Sequence, residues 1–218
     1  PTGDSFSSPV RLDHLTNNKP FNPMINAGAI AVTSTIRGAS LEERRDVCLA
    51  FARKLMGNSG LDVDYEVFLS EARTGYKNRA IIYLMRSNGI IEGSCEEHLE
   101  LYFLLCSLAC TCRDLSMFAA TLANDGISPS TGERLIPLRT VKLVRSLMVT
   151  CGMCDYSGEF AATVGMPSKS GVGGGIISCP IGRYGICVYG PALDEKGNST
   201  GGLKMLEYLS ENMDLNMF

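Results

Sequence analysis

Apolar residues recur at helical spacing over most of the first 150 residues. Ser40 followed by Glu43 and Thr111 followed by Asp114 are capping-box patterns, and each precedes an apolar run. Pro137 suits the first turn of a further helix. Residues 1–25, rich in Pro, Ser and Asn, predict a loop. The pattern therefore predicts helices over 26–37, 40–56, 64–70, 78–87, 96–109, 111–124 and 137–149.

The pattern changes near residue 168, where small and β-branched residues replace the helical spacing. Residues 171–178 and 184–189 predict two antiparallel strands joined by a hairpin turn, and Asn198-Ser199 predicts the start of a last helix. Two strands make only a marginal sheet, so we expect further strands outside this chain. The predicted fold class is α/β (α+β), mainly helical over 1–168 and strand–strand–helix over 169–218.

Charge and cysteine content narrow the class of protein. The chain has 218 residues, with 20 Lys and Arg against 23 Asp and Glu. The basic residues are scattered and the apolar runs are short, so we expect no nucleic-acid partner and no membrane partner. Nine cysteines, mostly in apolar segments, favour a reducing compartment over a disulfide framework. We therefore expect an intracellular protein, cytoplasmic, or mitochondrial if its source is eukaryotic.

The chain starts at Pro1 and shows no signal segment, so we expect a fragment made by truncation or processing. Its most conspicuous metal-like motif is the C-x-x-C of Cys151 and Cys154. A zinc site would need a second pair at suitable spacing, and the two histidines, His14 and His98, do not supply it. Packing is therefore the favoured role, and we predict no metal and no cofactor.

Two further groups of residues have the chemistry of a site but are weak signals alone. Lys169-Ser170-Gly171 comes directly before a predicted strand, where a cation and backbone N–H groups can hold a carbonyl and its oxyanion. Glu71 and Asn78 are seven residues apart and would share a helix face, but we expect Gly75 to break that helix.

Several short blocks of residues follow one another along the chain and can be compared with known families. The blocks are Asn22-Pro23-Met24-Ile25-Asn26-Ala27-Gly28, Ser70-Glu71 with Asn78-Arg79-Ala80-Ile81, Leu101-Tyr102-Phe103 with Cys106-Ser107, Thr121-Leu122-Ala123-Asn124, Cys151-Gly152-Met153 with Lys169-Ser170-Gly171-Val172, and Asn198-Ser199. In this order they resemble the blocks of the glutaminase family, the serine-dependent glutamine amidohydrolases, which has the fold of serine β-lactamases and penicillin-binding proteins. The resemblance implies that 1–218 is a partial glutaminase domain, a helical subdomain with part of an antiparallel sheet whose N-terminal strands are missing.

The resemblance implies acyl transfer from L-glutamine. In the family, the serine of a Ser-x-x-Lys motif attacks the side-chain amide, the lysine acts as base, ammonia leaves, and water hydrolyses the glutamyl-serine intermediate. Glu71 would bind the substrate ammonium, and Val172 would bind substrate by donating its backbone N–H to the oxyanion. The family also implies a homo-oligomer, a dimer or a tetramer. The residues implied to bind the substrate carboxylate are Asn26, Asn78 and Tyr102.

The chain departs from the family pattern in two places. It contains no Ser-x-x-Lys, a motif that in the family lies upstream of the segment matching Pro1. It also has Cys154 where the family usually has a tyrosine implicated in proton transfer. We therefore expect this chain alone to be inactive. The alternative hypothesis is a catalytically inactive relative with a binding, assembly or regulatory role, and a general penicillin-recognising hydrolase is less favoured.

Overall fold

The computed structural model describes residues 12–13 and 19–218. These residues form two compact units, which we call the helical unit, containing residues 12–13, 19–53 and 60–109, and the mixed unit, containing residues 54–59 and 110–218. Within this part of the chain, no helix has both the length and the apolarity needed to cross a membrane.

The helical unit is a cluster of helices around one apolar core. Its centre contains Ile30, Ile82, Met85, Leu99 and Phe103, all at most 1% exposed. Burial of these large side chains is the main force that holds the helices together. The elements are the paired strands β1 (Leu12–Asp13) and β2 (Lys19–Pro20), and the helices α1 (Asn26–Ser34), α2 (Leu41–Met56, whose last turn belongs to the mixed unit), α3 (Tyr65–Thr74), α4 (Tyr76–Ser87) and α5 (Cys95–Cys106).

The mixed unit packs helices against a three-stranded antiparallel sheet of order β3-β4-β5. Ile176 of β4 and Leu206 of the last helix are fully buried in its core. The unit ends, after the sheet, in that helix, which Ser199 caps by accepting the amide of Gly202 at 3.1 Å. Its elements are α6 (Cys112–Ala123), α7 (Leu138–Cys151), α8 (Ser157–Thr163), β3 (Ser168–Ser170), β4 (Gly175–Ser178), β5 (Ile186–Tyr189) and α9 (Thr200–Met213).

The predicted helices are confirmed where local capping signals mark their ends. The capping box of α6 is complete, because the Thr111 hydroxyl accepts the amide of Asp114 and the Asp114 carboxylate accepts the amide of Thr111. Gly75 separates α3 from α4, as its predicted role as a helix breaker requires. Pro137 lies just before α7 instead of inside its first turn.

The strand prediction is wrong in detail. Residues 171–174 form a turn instead of the start of a strand, while Ser168–Ser170, which was not predicted, forms β3. The short helix α8 was also missed. The predicted loop over 1–25 is wrong where the structure has the short strands β1 and β2. The other residues before position 19 lie outside the described residues, so the prediction is not tested there.

Helix α6 packs closely against the residues that lead into β5. A Cβ atom at Gly185 would meet the amide nitrogen of Ala120 and the carbonyl oxygen of Ser116, both at 2.1 Å. Farther along, the Gly182 amide donates to the carbonyl of Ala123 at 3.0 Å. The helix and the sheet can therefore approach this closely only with glycine at position 185.

We predict that Gly185→Ala destabilises the protein by about 3 kcal/mol or more, because the added methyl overlaps helix backbone that cannot rotate away. Chemical denaturation measures the change. The matched control is Gly158→Ala in α8, where the new Cβ meets nothing within 4 Å. There we expect no loss, or a gain of up to ~1 kcal/mol from helix propensity. Equal stability of the two variants would contradict the close contact.

Candidate active site

The predicted carboxylate-binding amides form a pair in the helical unit. The Asn26 side-chain amide, at the start of α1, donates to the Asn78 side-chain carbonyl at 3.1 Å. Asn78 is buried in α4, whereas Asn26 is exposed. The loop before α1 is ordered by Asn22, whose side-chain oxygen accepts the amide of Met24 at 2.8 Å. A buried and an exposed amide thus present a shared polar surface.

Glu71 lies in α3, beside a phenol and a thiol on α5. The Tyr102 hydroxyl is within hydrogen-bonding reach of Cys106, one turn farther along the same helix, and the Glu71 carboxylate is close enough to influence both groups. Burial, then the neighbouring thiol and then Glu71, raise the pKa of Tyr102 far above its usual range. The phenol is therefore neutral at physiological pH and can both donate and accept a hydrogen bond.

The structure brings all four polar side chains predicted for substrate binding into one unit. Helices α1, α3 and α4 each pack on α5, which carries Tyr102. Cys106 was not predicted as a site residue, although its i, i+4 spacing from Tyr102 is the sequence signal that indicates the contact. Desolvation is the main cause that raises the pKa of the Cys106 thiol, so this thiol also remains neutral.

In the mixed unit, the C-x-x-C segment joins the end of α7 to the 3₁₀ turn before α8, and its glycine packs on the sheet. A Cβ atom at Gly152 would lie 1.9 Å from the carbonyl oxygen of Ser168, so the end of α7 touches β3 backbone to backbone. The Ser170 amide donates to the Gly152 carbonyl at 3.1 Å. Cys154, two residues after Gly152, begins the 3₁₀ turn that follows the helix.

Cys154 has a left-handed backbone conformation, with φ of 54°. The surrounding turn is closed by Ser157, whose hydroxyl donates to the Cys154 carbonyl at 2.7 Å and accepts the Met153 amide at 3.1 Å. The Cys154 side chain is buried. A non-glycine residue in this conformation is held there by its surroundings.

Lys169 of β3 is the cation of this cluster. Desolvation lowers the pKa of its ammonium, and the nearby sulfur atoms of Cys154 and Cys151 partly offset that effect. The ammonium also donates to the carbonyl of Ser170. Lys169, which the sequence indicates only as part of a common tripeptide, therefore lies near both thiols of the C-x-x-C motif.

Val172 lies in the turn between β3 and β4, with its side chain exposed. Two hydrogen bonds shape this turn: the Gly171 amide donates to the Gly175 carbonyl at 2.9 Å, and the Gly174 amide donates to the Gly171 carbonyl at 2.9 Å. The Val172 amide takes part in neither bond. A backbone N–H in such a tight turn is suited to bind an oxyanion.

No group of three or more metal-binding side chains occurs in the part of the chain that the structure describes. The helical unit instead offers a carboxylate, a neutral phenol and two amides, which suit a zwitterion with an ammonium and a carboxylate. The mixed unit offers a cation, a thiol and a backbone amide, which suit proton transfer and the stabilisation of developing negative charge.

Comparison with known proteins identifies the family. The glutaminase family model matches residues 1–218. A glutaminase from Clostridium botulinum is 50% identical over 218 residues, which are 100% of this chain and 72% of that protein. A glutaminase from Clostridium tetani is 53% identical over the same length and is 71% covered. The chain belongs to the glutaminase family.

Solved glutaminase structures are similar over all or most of the chain. A crystal structure of a probable glutaminase from Bacillus subtilis has a TM-score of 0.95 at 39% identity, covering 100% of this chain and 73% of that one. A Bacillus subtilis glutaminase in covalent complex with 5-oxo-L-norleucine has a TM-score of 0.87 at 40% identity, covering 92% and 71%. The α/β fold expected from the sequence is thus confirmed as that of a glutaminase, an amidohydrolase.

We predict that Lys169→Met raises the free energy of unfolding at pH 7 by roughly 1–2 kcal/mol, because it removes the desolvated charge of a half-buried side chain. The pKa of Lys169 is lowered on folding, so at neutral pH the charged form opposes folding. That penalty fades as the pH rises from the lowered value past the ordinary value of 10.5. Denaturation at pH 7 and at about pH 10 should therefore show a smaller gain at the higher pH.

The control for this variant is Lys204→Met in α9, where the side chain is exposed and no change at either pH is expected. A loss of stability in Lys169→Met at pH 7 would show that the ammonium stabilises the fold, contrary to the expectation.

Proposed function

We propose that the site residues predicted above form the substrate-binding, oxyanion and proton-transfer part of a glutaminase, which hydrolyses L-glutamine to L-glutamate and ammonia. The observation that carries this proposal is the grouping of Glu71 with the neutral phenol of Tyr102, in the unit that also holds the Asn26–Asn78 pair. Together these groups match both ends of an α-amino acid. The family membership of the chain supplies the amide chemistry.

In the binding step, Glu71 accepts hydrogen bonds from the substrate ammonium. Its half-buried position makes these charge-assisted bonds stronger than they would be in open water. The Asn26 and Asn78 amides and the Tyr102 hydroxyl bind the α-carboxylate. Tyr102 keeps its proton for this task, because its raised pKa prevents ionisation beside the anion.

In the chemical step, the Val172 amide donates to the oxygen of the amide under attack as it becomes an oxyanion. Lys169 provides positive charge that favours the same charge development, and Cys154 is the group available for proton transfer to the leaving ammonia. The 218 residues contain no Ser-x-x-Lys. The proposal therefore assigns binding, oxyanion and proton-transfer roles to this chain and leaves the nucleophile and its base to residues outside it.

The second candidate function is a glutaminase-like protein that binds but does not catalyse. Cys154 favours it, because a thiol is shorter than the phenol usual in the family and a weaker hydrogen-bond donor. The intact binding groups of the helical unit favour the enzyme. Glutamine binding measured alongside ammonia release distinguishes the two functions.

We also propose a serine β-lactamase-like fold, a dimer or tetramer of the protein, and a reducing compartment as its location. The last proposal is supported by the nine cysteines, all within the described residues, none of which is joined to another by a disulfide. Light scattering coupled to size-exclusion chromatography tests the oligomer. A monomer at physiological concentration would contradict it.

We predict that Glu71→Gln weakens glutamine binding roughly 10- to 100-fold, because it replaces a charge-assisted hydrogen bond worth about 1.5–3 kcal/mol by a neutral one. Calorimetric titration of the protein with L-glutamine measures the change. The matched control is Glu42→Gln, in an exposed position of the first turn of α2, which should leave the affinity unchanged. Unchanged affinity in Glu71→Gln would show that the ammonium binds elsewhere.

We predict that Cys154→Tyr raises glutamine turnover in the protein supplied with its nucleophile, because a positioned hydroxyl for proton transfer typically contributes ~10²–10⁴-fold. The control is Cys154→Phe, which adds the ring without the hydroxyl and should not raise turnover. Circular dichroism verifies that both variants fold. Equal or lower turnover in Cys154→Tyr, with glutamine affinity preserved, would remove Cys154 as the limiting group.

A further inference from the structure

Three cysteines gather in the mixed unit at the start of α6 and on β5, apart from the C-x-x-C motif and Lys169. Cys112 is the first residue of α6 and is exposed, Cys187 is on β5 and half-buried, and Cys110 precedes the helix. Cys112 and Cys187 are within hydrogen-bonding reach of each other, and Cys110 is close enough to influence Cys187 electrostatically. None of the proposed roles uses these thiols.

The backbone geometry independently places Cys112 against Cys187. Gly185, which directly precedes β5, faces α6 at Ser116, and Cys187 is the second residue of β5, where the alternation of side chains returns to the side that Gly185 faces. That step is about 7 Å along the strand, and the step from Ser116 back to Cys112 is about 6 Å along the helix axis. Gly182 contacts Ala123 near the end of α6, and Gly185 contacts Ser116, which lies closer to the start of α6. The chain leading into β5 therefore runs in the opposite direction to α6. Continuing by two residues along β5 and one turn back along α6 brings Cys187 and Cys112 together.

Cys110 is the less suitable partner for either thiol. Its sulfur donates a weak hydrogen bond to the sulfur of Met56 at 3.7 Å. It comes directly before the Thr111 cap, which is fixed by the capping box of α6. Cys112 is therefore the accessible thiol, and Cys187 is the one beside it.

We propose that Cys112 and Cys187 are an oxidisable dithiol site, which low-molecular-weight disulfides of the glutathione type convert reversibly into an internal disulfide. The bond joins the first turn of α6 to the edge strand of the sheet. It thereby closes a loop of about 75 residues, which removes conformational freedom from the unfolded chain.

The reaction balances in two exchange steps. The exposed Cys112 thiolate attacks one sulfur of the small disulfide, forming a mixed disulfide and releasing one small thiol. Cys187 then loses its proton and attacks the Cys112 sulfur, forming the internal bond and releasing the second small thiol. The two protein thiols are oxidised by two electrons, and the small disulfide is reduced to two thiols.

The order of attack follows from the environment of each thiol. Burial, followed by the hydrogen bond to Cys112, raises the pKa of Cys187 to about 12, so Cys187 does not attack first at neutral pH. Once Cys112 is held in the mixed disulfide, its thiol no longer opposes ionisation of Cys187, and the second step becomes easier.

The test is mass spectrometry of the protein after exposure to a glutathione and glutathione-disulfide buffer, alkylation of the remaining thiols and digestion. We expect a disulfide-linked peptide pair containing Cys112 and Cys187 that dithiothreitol abolishes. The oxidised protein should also unfold at a higher temperature than the reduced protein. Recovery of Cys112 only as a glutathione adduct, as an alkylated thiol or bound to Cys110 would overturn the proposal.

Two comparisons make the result specific. In Cys187→Ser, Cys112 should stop at the glutathione adduct, and the rise in unfolding temperature should disappear. Cys106, exposed on α5 beside Tyr102 instead of beside another cysteine, should never appear in an internal disulfide. An internal disulfide of Cys106 in the wild-type protein would show that exchange follows unfolding, and would also overturn the proposal.

Discussion

The contact between the end of α7 and strand β3 is the constraint on which the proposed catalytic groups depend. With no side chain between the two backbones, the Gly152 carbonyl accepts the amide of Ser170 directly. Cys154 comes two residues after this contact, close enough to influence the desolvated ammonium of Lys169 in β3. The turn after β3 then presents the Val172 amide. A thiol, a cation and a backbone donor are therefore positioned by one close packing contact.

Much of the fold could be predicted because its signals are local. The Thr111–Asp114 capping box and the Ser199 cap each mark a helix start within a few residues. Strand β3 could not be found in this way, since three polar residues carry neither alternation nor length. The four glycines over 171–175 predict part of a strand, but the hydrogen bond from the Gly174 amide to the Gly171 carbonyl makes residues 171–174 a turn.

The candidate site is harder to predict than the fold from individual residues and their spacing. Glu71 and Asn78 fall on different helices, and the uninterrupted helix face that their spacing allows does not exist. Their grouping with Tyr102 depends on the packing of separate helices on α5, so only the family resemblance indicated it. The association of Lys169 with Cys151 and Cys154 joins segments more than ten residues apart through β3. Neither the hydrophobic period of the sequence nor the spacing of its residues predicts such a contact. The contact of Cys106 with Tyr102 is different, because residues four apart on a helix lie one turn from each other.

The recognition of an α-amino acid by the helical unit is the central claim, and a pair of calorimetric titrations tests it most directly. One uses L-glutamine and the other glutaramic acid, which is the same molecule without its α-amino group. A carboxylate facing the ammonium predicts that glutaramic acid binds at least about tenfold more weakly, from the loss of one charge-assisted interaction. Equal affinity for both compounds, or no binding of L-glutamine, would contradict the account.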